Sequence, residues 1–376
     1  MKKTILLSLF LFLNNFLFSQ CNGRYQSEIF NSVNKIVDVN YAEYIQYFDN
    51  EHEMDVYMPD GDTEANRPLI LFMHGGSFYA GDKENTDCVD FCESFAKRGY
   101  VTASVNYRLA NMMPFLTSTE TQYETVLKAV ADIKAAIRYF RHDYATNNSY
   151  NIDTNTIFVA GSSAGAVTAI HLAYIDDISN LPINAPNATG GSPIDVQFLA
   201  NNNGGIEGDV GFANYNSNIS GVISFAGGIN DLDWIDSSDE PLVSIQGDND
   251  GTVDYSCAPA MGGIIQLILC GSGEMHQRAN SVNIINDHLL FSGADHDWFI
   301  AGNSDNRFVD ALEFTTNFLY PLLPCYQATV VSEIHTTEKQ LIKITDVLGR
   351  ETVQEKDTPQ FYIYNDGSVE KKIILK

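Results

Sequence analysis

A sharp turn between an apolar run and an amphipathic segment constrains the fold of this chain most. The stretch is FVAGSSAGAVTAIHLAY, residues 158–174, and its second half carries apolar side chains at helical spacing. GSSAG, residues 161–165, therefore joins a predicted strand to a predicted helix. Small residues allow the strand and the helix to approach closely, and Ser163 is predicted to be exposed at the start of the helix.

Strand and helix patterns alternate around this turn. RPLILFMHGG, VTASVNYRL, NTIFVAG, GVISFAGG and PLVSIQG predict strands. VDFCESFAKRGY and YETVLKAVADIKAAIRYFRHDY predict helices, the second with apolar residues at three- and four-residue steps. This alternation predicts an α/β fold with a mainly parallel sheet covered by helices on both faces. Functional loops then lie at the carboxyl ends of the strands.

Two further residues are candidates for activating Ser163. A serine hydroxyl is a weak nucleophile unless a base removes its proton and a third group orients that base. His296, in FSGADHDWF, follows the last predicted core strand and is the predicted base. Asp250, in the loop GDNDG, is the predicted acid, and Asp248 in the same loop is the alternative. The order along the chain is then serine, aspartate, histidine, which is one known triad order.

The segment MHGGSFYAGDK, residues 73–83, predicts a site for negative charge. It follows a predicted strand, and its glycines allow backbone N–H groups to turn inward. Such donors stabilise the charge of a tetrahedral intermediate by roughly 3–4 kcal/mol each. His74 is interpreted as a brace for this loop, and His171 and His288 as structural residues.

These motifs occur in an order that resembles the α/β-hydrolase superfamily. HGGSFYAGDK, RGYVTASVNYRL, DIKAAIRYF and GSSAG are similar to carboxylesterase branches with an HGG oxyanion loop, including hormone-sensitive-lipase-like enzymes and bacterial feruloyl esterases of the BD type. The resemblance covers about residues 50–320. It implies oxyanion donors at the N–H groups of Gly76, Ser77 and Ala164. It also implies a serine carboxylic-ester hydrolase that forms an acyl-enzyme and needs no cofactor or metal.

Some features depart from that pattern and leave the substrate open. Ser77 stands where glycine or alanine is usual, and Gln246 stands where histidine often precedes the acid loop. The Asn-rich segment 187–218 has no counterpart and is interpreted as a long loop or lid. A lipase or a polyester depolymerase is the alternative enzyme. A non-catalytic, cholinesterase-like adhesion protein is the alternative outside enzymes. The acyl group, the alcohol and the oligomeric state are not assigned.

The N-terminus predicts export. MKKTILLSLFLFLNNFLFSQ, residues 1–20, has two lysines before an apolar run, which is typical of a signal peptide. Cys21 raises a lipoprotein alternative, although Gln20 is a poor match to the small residue expected before a lipidated cysteine. Export permits disulfides, and Cys257 with Cys270 is the favoured pair of the six cysteines because they flank one loop. The spacing of the cysteines does not indicate a zinc site, and no later apolar run is long enough to predict a membrane span.

Charge divides the chain near residue 325. The net charge is −26, which argues against nucleic acid and anionic membranes as partners. Residues 326–376 are nearly balanced, with 7 Lys and Arg against 8 Asp and Glu. The predicted organisation is a signal peptide at 1–20, a catalytic domain at 21–325 and a C-terminal module at 326–376.

The C-terminal module alternates apolar and polar residues like β-strands. LIKITDVLGRET and FYIYNDGSVEKKIIL predict strands, with a tight turn at Asn365-Asp366-Gly367. Together with Lys376, these blocks resemble the type A C-terminal sorting domain of the type IX secretion system. That resemblance implies that the secretion machinery is a partner and that the tail is removed outside the cell. The alternative is a small β accessory module.

Overall fold

The computed structural model describes residues 21, 23–188, 190–326, 341–346, 349–364 and 369–372. The predicted signal peptide, the Asn365-Asp366-Gly367 turn and Lys376 lie outside these residues. The chain separates into two compact units. One is Gly23–Leu323, and the other contains the described residues of 1–22 and 324–376.

An eight-stranded sheet forms the centre of the large unit, in the order β1-β2-β4-β3-β5-β6-β7-β10. The strands of the unit are β1 (Val33–Asn40), β2 (Glu53–Pro59), β3 (Arg67–Met73), β4 (Val101–Val105), β5 (Ile152–Ser162), β6 (Gly221–Phe225), β7 (Leu242–Gly247), β8 (Cys257–Pro259), β9 (Ile268–Cys270) and β10 (Asn286–Phe291). β2 is antiparallel to β1 and β4, and the other neighbours in the large sheet are parallel. The predicted α/β-hydrolase fold with a mainly parallel sheet is confirmed.

Helices cover both faces of this sheet. They are α1 (Thr86–Lys97), α2 (Met112–Thr117), α3 (Thr119–Thr146), α4 (Ala164–Tyr174), α5 (Val196–Asn202), α6 (Ser272–Val282) and α7 (Asn306–Leu319). Short 3₁₀ turns occur at Ile45–Tyr47, Asn50–His52, Ile178–Asn180, Gly205–Glu207, Leu232–Trp234, Met261–Gly263, Gly302–Ser304 and Tyr320–Leu322.

The alternation of side chains along β3 shows how the two faces are filled. Leu71 belongs to the core cluster that includes Ile133 of α3 and Ile170 of α4. Phe72 points the other way, and its ring centroid lies 4.3 Å from that of Phe91 in α1. Because successive strand residues face opposite sides, one fully buried strand supplies both cores.

The hairpin β1–β2 at one edge of the sheet is absent from the sequence-based prediction. β1 reads VNKIVDVN, and most of its residues are exposed. Its register also shifts between Ile36 and Val39, so it lacks an uninterrupted two-residue alternation. An exposed, bulged edge strand carries little of the apolar pattern on which strand prediction depends.

The Asn-rich segment 187–218 is not loop throughout, which corrects that part of the prediction. It contains α5 and the turn Gly205–Glu207. Glu207 accepts from Lys134 Nζ at 2.8 Å and from Arg138 Nη1 at 3.0 Å, so this turn is fixed to α3. α5 was not predicted because its apolar pattern covers only seven residues and is surrounded by asparagines and glycines, which are typical of loops.

The C-terminal unit contains a small antiparallel sheet, as predicted. Its strands are β11 (Leu341–Thr345), β12 (Glu351–Thr352), β13 (Gln360–Tyr364) and β14 (Val369–Lys372), in the order β12-β11-β13-β14. Tyr362 of β13 is buried, whereas Leu341 and Val369 are exposed. The sheet is therefore a small module with a limited core.

Two disulfides are present among the described residues. Cys257–Cys270 is the predicted pair and is confirmed. Cys21–Cys325 is the second bond. A sulfur joined to Cys325 cannot also carry a lipid thioether, so this bond contradicts the lipoprotein alternative for Cys21. No helix in the described part of the chain is long and apolar enough to cross a membrane.

Candidate active site

Ser163 lies at a strained turn between β5 and α4. Its backbone has φ 51° and ψ −116°, a conformation that residues other than glycine rarely adopt. The turn needs small neighbours, since a Cβ atom at Gly161 would collide with the backbone of Gly165, and one at Gly165 with the Met73 carbonyl. The Ser163 N–H donates to the Phe225 carbonyl at 2.8 Å, which ties the turn to β6.

The structure brings together Ser163, His296 and Asp250. His296 Nε2 lies 2.7 Å from Ser163 Oγ, and His296 Nδ1 lies 2.8 Å from Asp250 Oδ2. The carboxylate can only accept, so Nδ1 carries a proton and Nε2 is left to accept from the serine hydroxyl. Asp250 is 5% exposed and Ser163 is 8% exposed, so the chain of hydrogen bonds is largely shielded from water.

The carboxylate of Asp250 is held by its own loop. Its Oδ1 accepts the N–H groups of Thr252 and Val253, both at 2.9 Å. Gln246 then fixes that loop, because its Nε2 donates to the Val253 carbonyl at 2.7 Å and its Oε1 accepts the Ser272 N–H at 2.8 Å. The glutamine that departs from the family pattern is thus a buried clamp between the acid loop and α6.

Asp295 connects the acid loop to the histidine loop. Its Oδ1 accepts the His296 N–H at 2.8 Å and the Gly251 N–H at 3.2 Å. These backbone donors, that of His296 foremost, lower the pKa of Asp295. The carboxylate therefore stays charged and holds the two loops in register. Sequence reasoning did not single out this residue, although it directly precedes His296.

Asp248, the alternative acid, lies away from Ser163, and so do His171 and His288, which were interpreted as structural residues. Asp248 Oδ1 accepts the Gly293 N–H at 2.5 Å. His171 is buried in α4, where its Nδ1 donates to the Val167 carbonyl at 2.7 Å. His288 is exposed on β10, and its Nε2 is 3.2 Å from the Tyr255 hydroxyl. None of the three contacts Ser163 in the described structure.

His74 braces the glycine loop, as interpreted from the sequence. Its Nδ1 donates to the Gly75 carbonyl at 2.7 Å, and its ring stacks on Tyr107 with centroids 4.4 Å apart. The Tyr107 hydroxyl donates to the His74 carbonyl at 2.7 Å. Burial lowers the pKa of His74, which keeps the ring neutral and suited to a structural role. A Cβ atom at Gly81 would lie 2.6 Å from His74 Nδ1, so this packing requires glycine there.

The glycine loop passes beside Ser163. Gly76 has φ 123° and Ser77 has φ 55°. The Gly76 carbonyl accepts the N–H groups of Tyr79 and Ala80 at 3.2 and 3.0 Å, which makes the turn tight. Ser77 and Ala164 line one cavity together with Ser163. Among the described residues, no acceptor takes the backbone N–H of Gly76, Ser77 or Ala164. Gly76, Ser77 and Ala164 each line a cavity that Ser163 also lines, so their N–H groups are candidates for binding an oxygen at the site.

Asp87 is a buried carboxyl that the sequence did not reveal as part of the site. It lies at the start of α1, is 3% exposed, and its Oδ2 accepts the Ser162 hydroxyl at 2.6 Å. Burial raises its pKa to about 6. Ser162, which directly precedes Ser163, therefore has a specific partner. The two residues are 75 positions apart, so no local pattern connects them.

Two cavities meet at Ser163. One is narrow and apolar, and its wall includes Phe78, Phe115 and Val167. The other is wider and is lined by His296 and Phe299, and by the carboxylates of Asp82, Glu84 and Asp87. The described residues of segment 187–218 line neither cavity. The serine hydroxyl thus stands between an apolar pocket and a wider, acidic cleft.

One family model and two curated proteins match parts of this chain. The BD-FAE family model matches residues 54–262, more than half of the chain, and the match includes Ser163 and Asp250. A stretch of 108 residues is 33% identical to probable carboxylesterase 2 of Arabidopsis thaliana, covering 28% of this chain and 31% of that protein. A stretch of 117 residues is 26% identical to the neuroligin-like protein glit-1 of Caenorhabditis elegans, covering 31% of this chain and 15% of that protein. The matches therefore span less than a third of each curated relative.

Solved structures with low sequence identity share the fold. A truncated carbohydrate esterase from gut microbiota superposes with a TM-score of 0.50 at 18% identity, covering 76% of this chain and 96% of that one. Thermogutta terrifontis esterase 2 phosphorylated by paraoxon superposes with a TM-score of 0.51 at 19% identity, covering 77% of this chain and 94% of that one.

Proposed function

The chain belongs to the BD-FAE family, and on that premise we propose that it is an exported serine hydrolase of carboxylic esters. The observation that carries the proposal is the hydrogen-bonded series Ser163–His296–Asp250, with Nε2 of the base 2.7 Å from the serine oxygen. Ser163 is the nucleophile, His296 the general base and then acid, and Asp250 the group that holds the imidazole. Gly76, Ser77 and Ala164 supply the oxyanion donors.

The reaction proceeds in two halves. His296 Nε2 takes the hydroxyl proton as Ser163 Oγ attacks the ester carbonyl carbon, and the developing oxyanion accepts from the three backbone N–H groups. The tetrahedral intermediate collapses, His296 returns the proton to the leaving alcohol, and the acyl group stays on Ser163. Water, deprotonated by His296, then attacks the acyl carbon. The second tetrahedral intermediate collapses, His296 returns the proton to Ser163 Oγ, and the carboxylic acid leaves. Asp250 keeps the proton on Nδ1 and stabilises the imidazolium in both halves.

The alternatives predict different outcomes. A lipase or polyester depolymerase uses the same residues. Hydrolysis of long-chain triglyceride or polyester film, measured beside that of short-chain esters, distinguishes it. A non-catalytic adhesion protein needs neither the hydrogen-bonded series Ser163–His296–Asp250 nor free oxyanion donors. The arrangement of all these groups around one serine supports the enzyme.

Replacement of the nucleophile tests the proposal. Ser163→Ala is expected to lower ester hydrolysis by several decades, because nucleophile and base act as a unit. The matched control Ser162→Ala changes the neighbouring hydroxyl and is expected to keep most of the activity. Hydrolysis of nitrophenyl esters and covalent labelling by an organophosphate, read as a mass shift, are measured together. Equal residual activity in the two variants, or labelling that persists in Ser163→Ala, contradicts the assignment.

Export and processing are part of the same proposal. Residues 1–20 are a signal peptide that is removed, 21–325 form the catalytic domain, and 326–376 form a sorting module read by the type IX secretion machinery. Two disulfides support an oxidising destination. The protein acts at the cell surface or in the medium.

Truncation after residue 325 tests this organisation in the native host. The truncated enzyme is expected to hydrolyse esters normally and to stay in the periplasm, whereas the full chain appears outside without its tail. Activity in cell fractions and the mass of the secreted product are measured for both. Secretion of the truncated form, or an extracellular product that retains Lys376, identifies the tail as an accessory module instead. Loss of activity on truncation contradicts the proposed domain boundary.

A further inference from the structure

We infer that the disulfide-closed hairpin Cys257–Cys270 sets the acyl specificity of the site, and that the pocket it bounds selects hydrocarbon acyl groups longer than acetyl. The inference rests on the proposed function, because it assumes that Ser163 attacks an ester. It adds which of the two cavities receives the acyl group and which element forms the wall of that cavity.

The position of His296 distinguishes the two cavities. The group that protonates the leaving alcohol must lie within hydrogen-bond reach of its oxygen. His296 lines the wide, acidic cleft and is not part of the wall of the apolar pocket. The alcohol therefore leaves through the cleft, and the acyl group occupies the apolar pocket, where Ala164 and Ser77 face the carbonyl oxygen.

The hairpin supplies a large part of the wall of the apolar pocket. Its contribution consists of five apolar side chains: Ala260, Met261, Ile265, Leu267 and Leu269. Phe78, Phe115, Val126 and Val167 also line the pocket. Ile264 of the hairpin points outward and is 61% exposed. The hairpin therefore has an inner face that meets the substrate and an outer face that does not.

Four sets of bonds hold the hairpin in place. Cys257 and Cys270 pair across β8 and β9 and are joined by the disulfide. Cys270 exchanges backbone hydrogen bonds with Ile229, at 2.8 and 3.0 Å. Asn230 Nδ2 donates to the Ile268 carbonyl at 2.8 Å. The Met261 N–H donates to the Thr252 carbonyl at 2.7 Å, which fixes the tip to the loop that carries Asp250. A wall tied at both ends selects by shape as well as by hydrophobicity.

One polar atom in the pocket determines the choice of probe. Gln122 Nε2 donates to the Phe115 carbonyl at 2.8 Å, whereas Gln122 Oε1 has no hydrogen-bond partner among the described residues. An acyl group with its own donor would report on this oxygen as well as on the hairpin. Straight hydrocarbon acyl chains isolate the contribution of the hairpin.

The test is a chain-length series of 4-nitrophenyl acetate, butanoate and hexanoate. The leaving group is constant, so differences in kcat/KM report on the acyl pocket alone. Each buried methylene is worth about a fourfold change, and the wild-type enzyme is expected to prefer hexanoate to acetate by on the order of 100-fold. Leu267→Ser is expected to reduce this ratio at least tenfold. The matched control Ile264→Ser, on the outer face of the same hairpin, is expected to keep the ratio.

The disulfide gives a second measurement. Cys257→Ser combined with Cys270→Ser is expected to reduce the hexanoate preference, whereas Cys21→Ser combined with Cys325→Ser keeps it. Should the first double variant not fold, Leu267→Ser and Ile264→Ser decide the question. Hydrolysis of acetate with no rise along the series, or a ratio that Leu267→Ser leaves unchanged, overturns the inference and leaves the proposed function standing. Failure to hydrolyse any ester of the series removes the proposed function itself.

Discussion

The two adjacent serines of GSSAG lead to two different carboxylates. The Ser163 hydroxyl reaches Asp250 through an imidazole, with distances of 2.7 and 2.8 Å along the way. The Ser162 hydroxyl donates directly to Asp87 at 2.6 Å. Both carboxylates are buried, so the two regions differ mainly in whether a histidine stands between the hydroxyl and the acid.

Under the proposed mechanism, that difference separates a reactive hydroxyl, that of Ser163, from a structural one, that of Ser162. An imidazole can accept the serine proton and pass it on, and its charge is then balanced by Asp250. The direct pair has no such base, and its hydrogen bond ties the end of β5 to the start of α1. Burial raises the pKa of Asp87 to about 6, so near neutral pH the pair holds a carboxylate that has lost most of its contact with water. The same residue type at neighbouring positions thus supports chemistry in one direction and architecture in the other.

The largest expected effect follows from a change in the series Ser163–His296–Asp250. Asp250→Asn is expected to preserve folding and to lower kcat by about 10⁴-fold, because asparagine favours the wrong imidazole tautomer. Asp248→Asn, in the same loop but bonded to the Gly293 N–H, is the control and is expected to be mild. Steady-state kinetics and circular dichroism are measured for both variants. A damaging Asp248→Asn beside a mild Asp250→Asn transfers the role to the other aspartate.

The pair Ser162–Asp87 is tested by measuring the free energy of unfolding as a function of pH. Because burial raises the pKa of Asp87 from 3.8 to about 6, the folded protein holds this proton more tightly than the unfolded chain. The contribution of Asp87 to the free energy of unfolding therefore falls as pH rises from about 4 to about 6 and stays low above that range. Asp87→Asn removes this dependence. Relative to wild type, the variant is expected to gain about 2 kcal/mol between pH 4 and pH 7.

Denaturant unfolding at a series of pH values measures this gain. Glu84→Gln serves as the control, since Glu84 lines the same cleft but is exposed. It is the control for the loss of one negative charge from the cleft. A difference between Asp87→Asn and wild type that does not change with pH would show that Asp87 titrates alike in the folded and unfolded chain.

The smallest expected effect is the contribution of the hydrogen bond between Ser162 and Asp87 to stability. Ser162→Ala is expected to cost about 1–3 kcal/mol of unfolding free energy at pH 8, because it leaves a buried carboxylate without its donor. In the Asp87→Asn background the same change is expected to cost about 1–2 kcal/mol less. Ser94→Ala, also on α1 but bonded to Glu28, is the control and is expected to be additive with Asp87→Asn. Additivity for Ser162→Ala too would mean that the hydrogen bond contributes nothing to stability.

Local patterns account for the parts of the fold that the sequence predicted. β3 and the second half of β5 are buried on both faces, so their residues form the apolar runs LILFM and IFVA. The elbow at Ser163 is recognisable because its steric demands fall on neighbours within a few positions. His296 and Asp250 were placed by their order relative to strands, and the structure brings both to Ser163.

Other parts depend on contacts that local patterns do not encode. The edge strand β1 is mostly exposed and was missed. Asp87 meets Ser162 across 75 positions, and the hairpin lines a pocket together with Val167 of α4 only in the folded chain. Gln246 departs from the family pattern in sequence, and only the structure shows that its two hydrogen bonds hold the acid loop. Such residues become visible once strand order has brought distant loops to one edge of the sheet.

The bond between Cys21 and Cys325 gives the chain an unusual covalent outline. It links residues 304 positions apart, so the polypeptide from 21 to 325 is a closed ring, and the residues after 325 are an appendage outside it. In the chain-entropy description, closing a loop of this length raises the free energy of the unfolded ensemble by about 6 kcal/mol. A protease that cuts one exposed loop of the ring opens it without releasing a fragment. If the tail is removed as proposed, the ring stays closed, and the chain from 21 to 325 would keep the same protection among extracellular proteases.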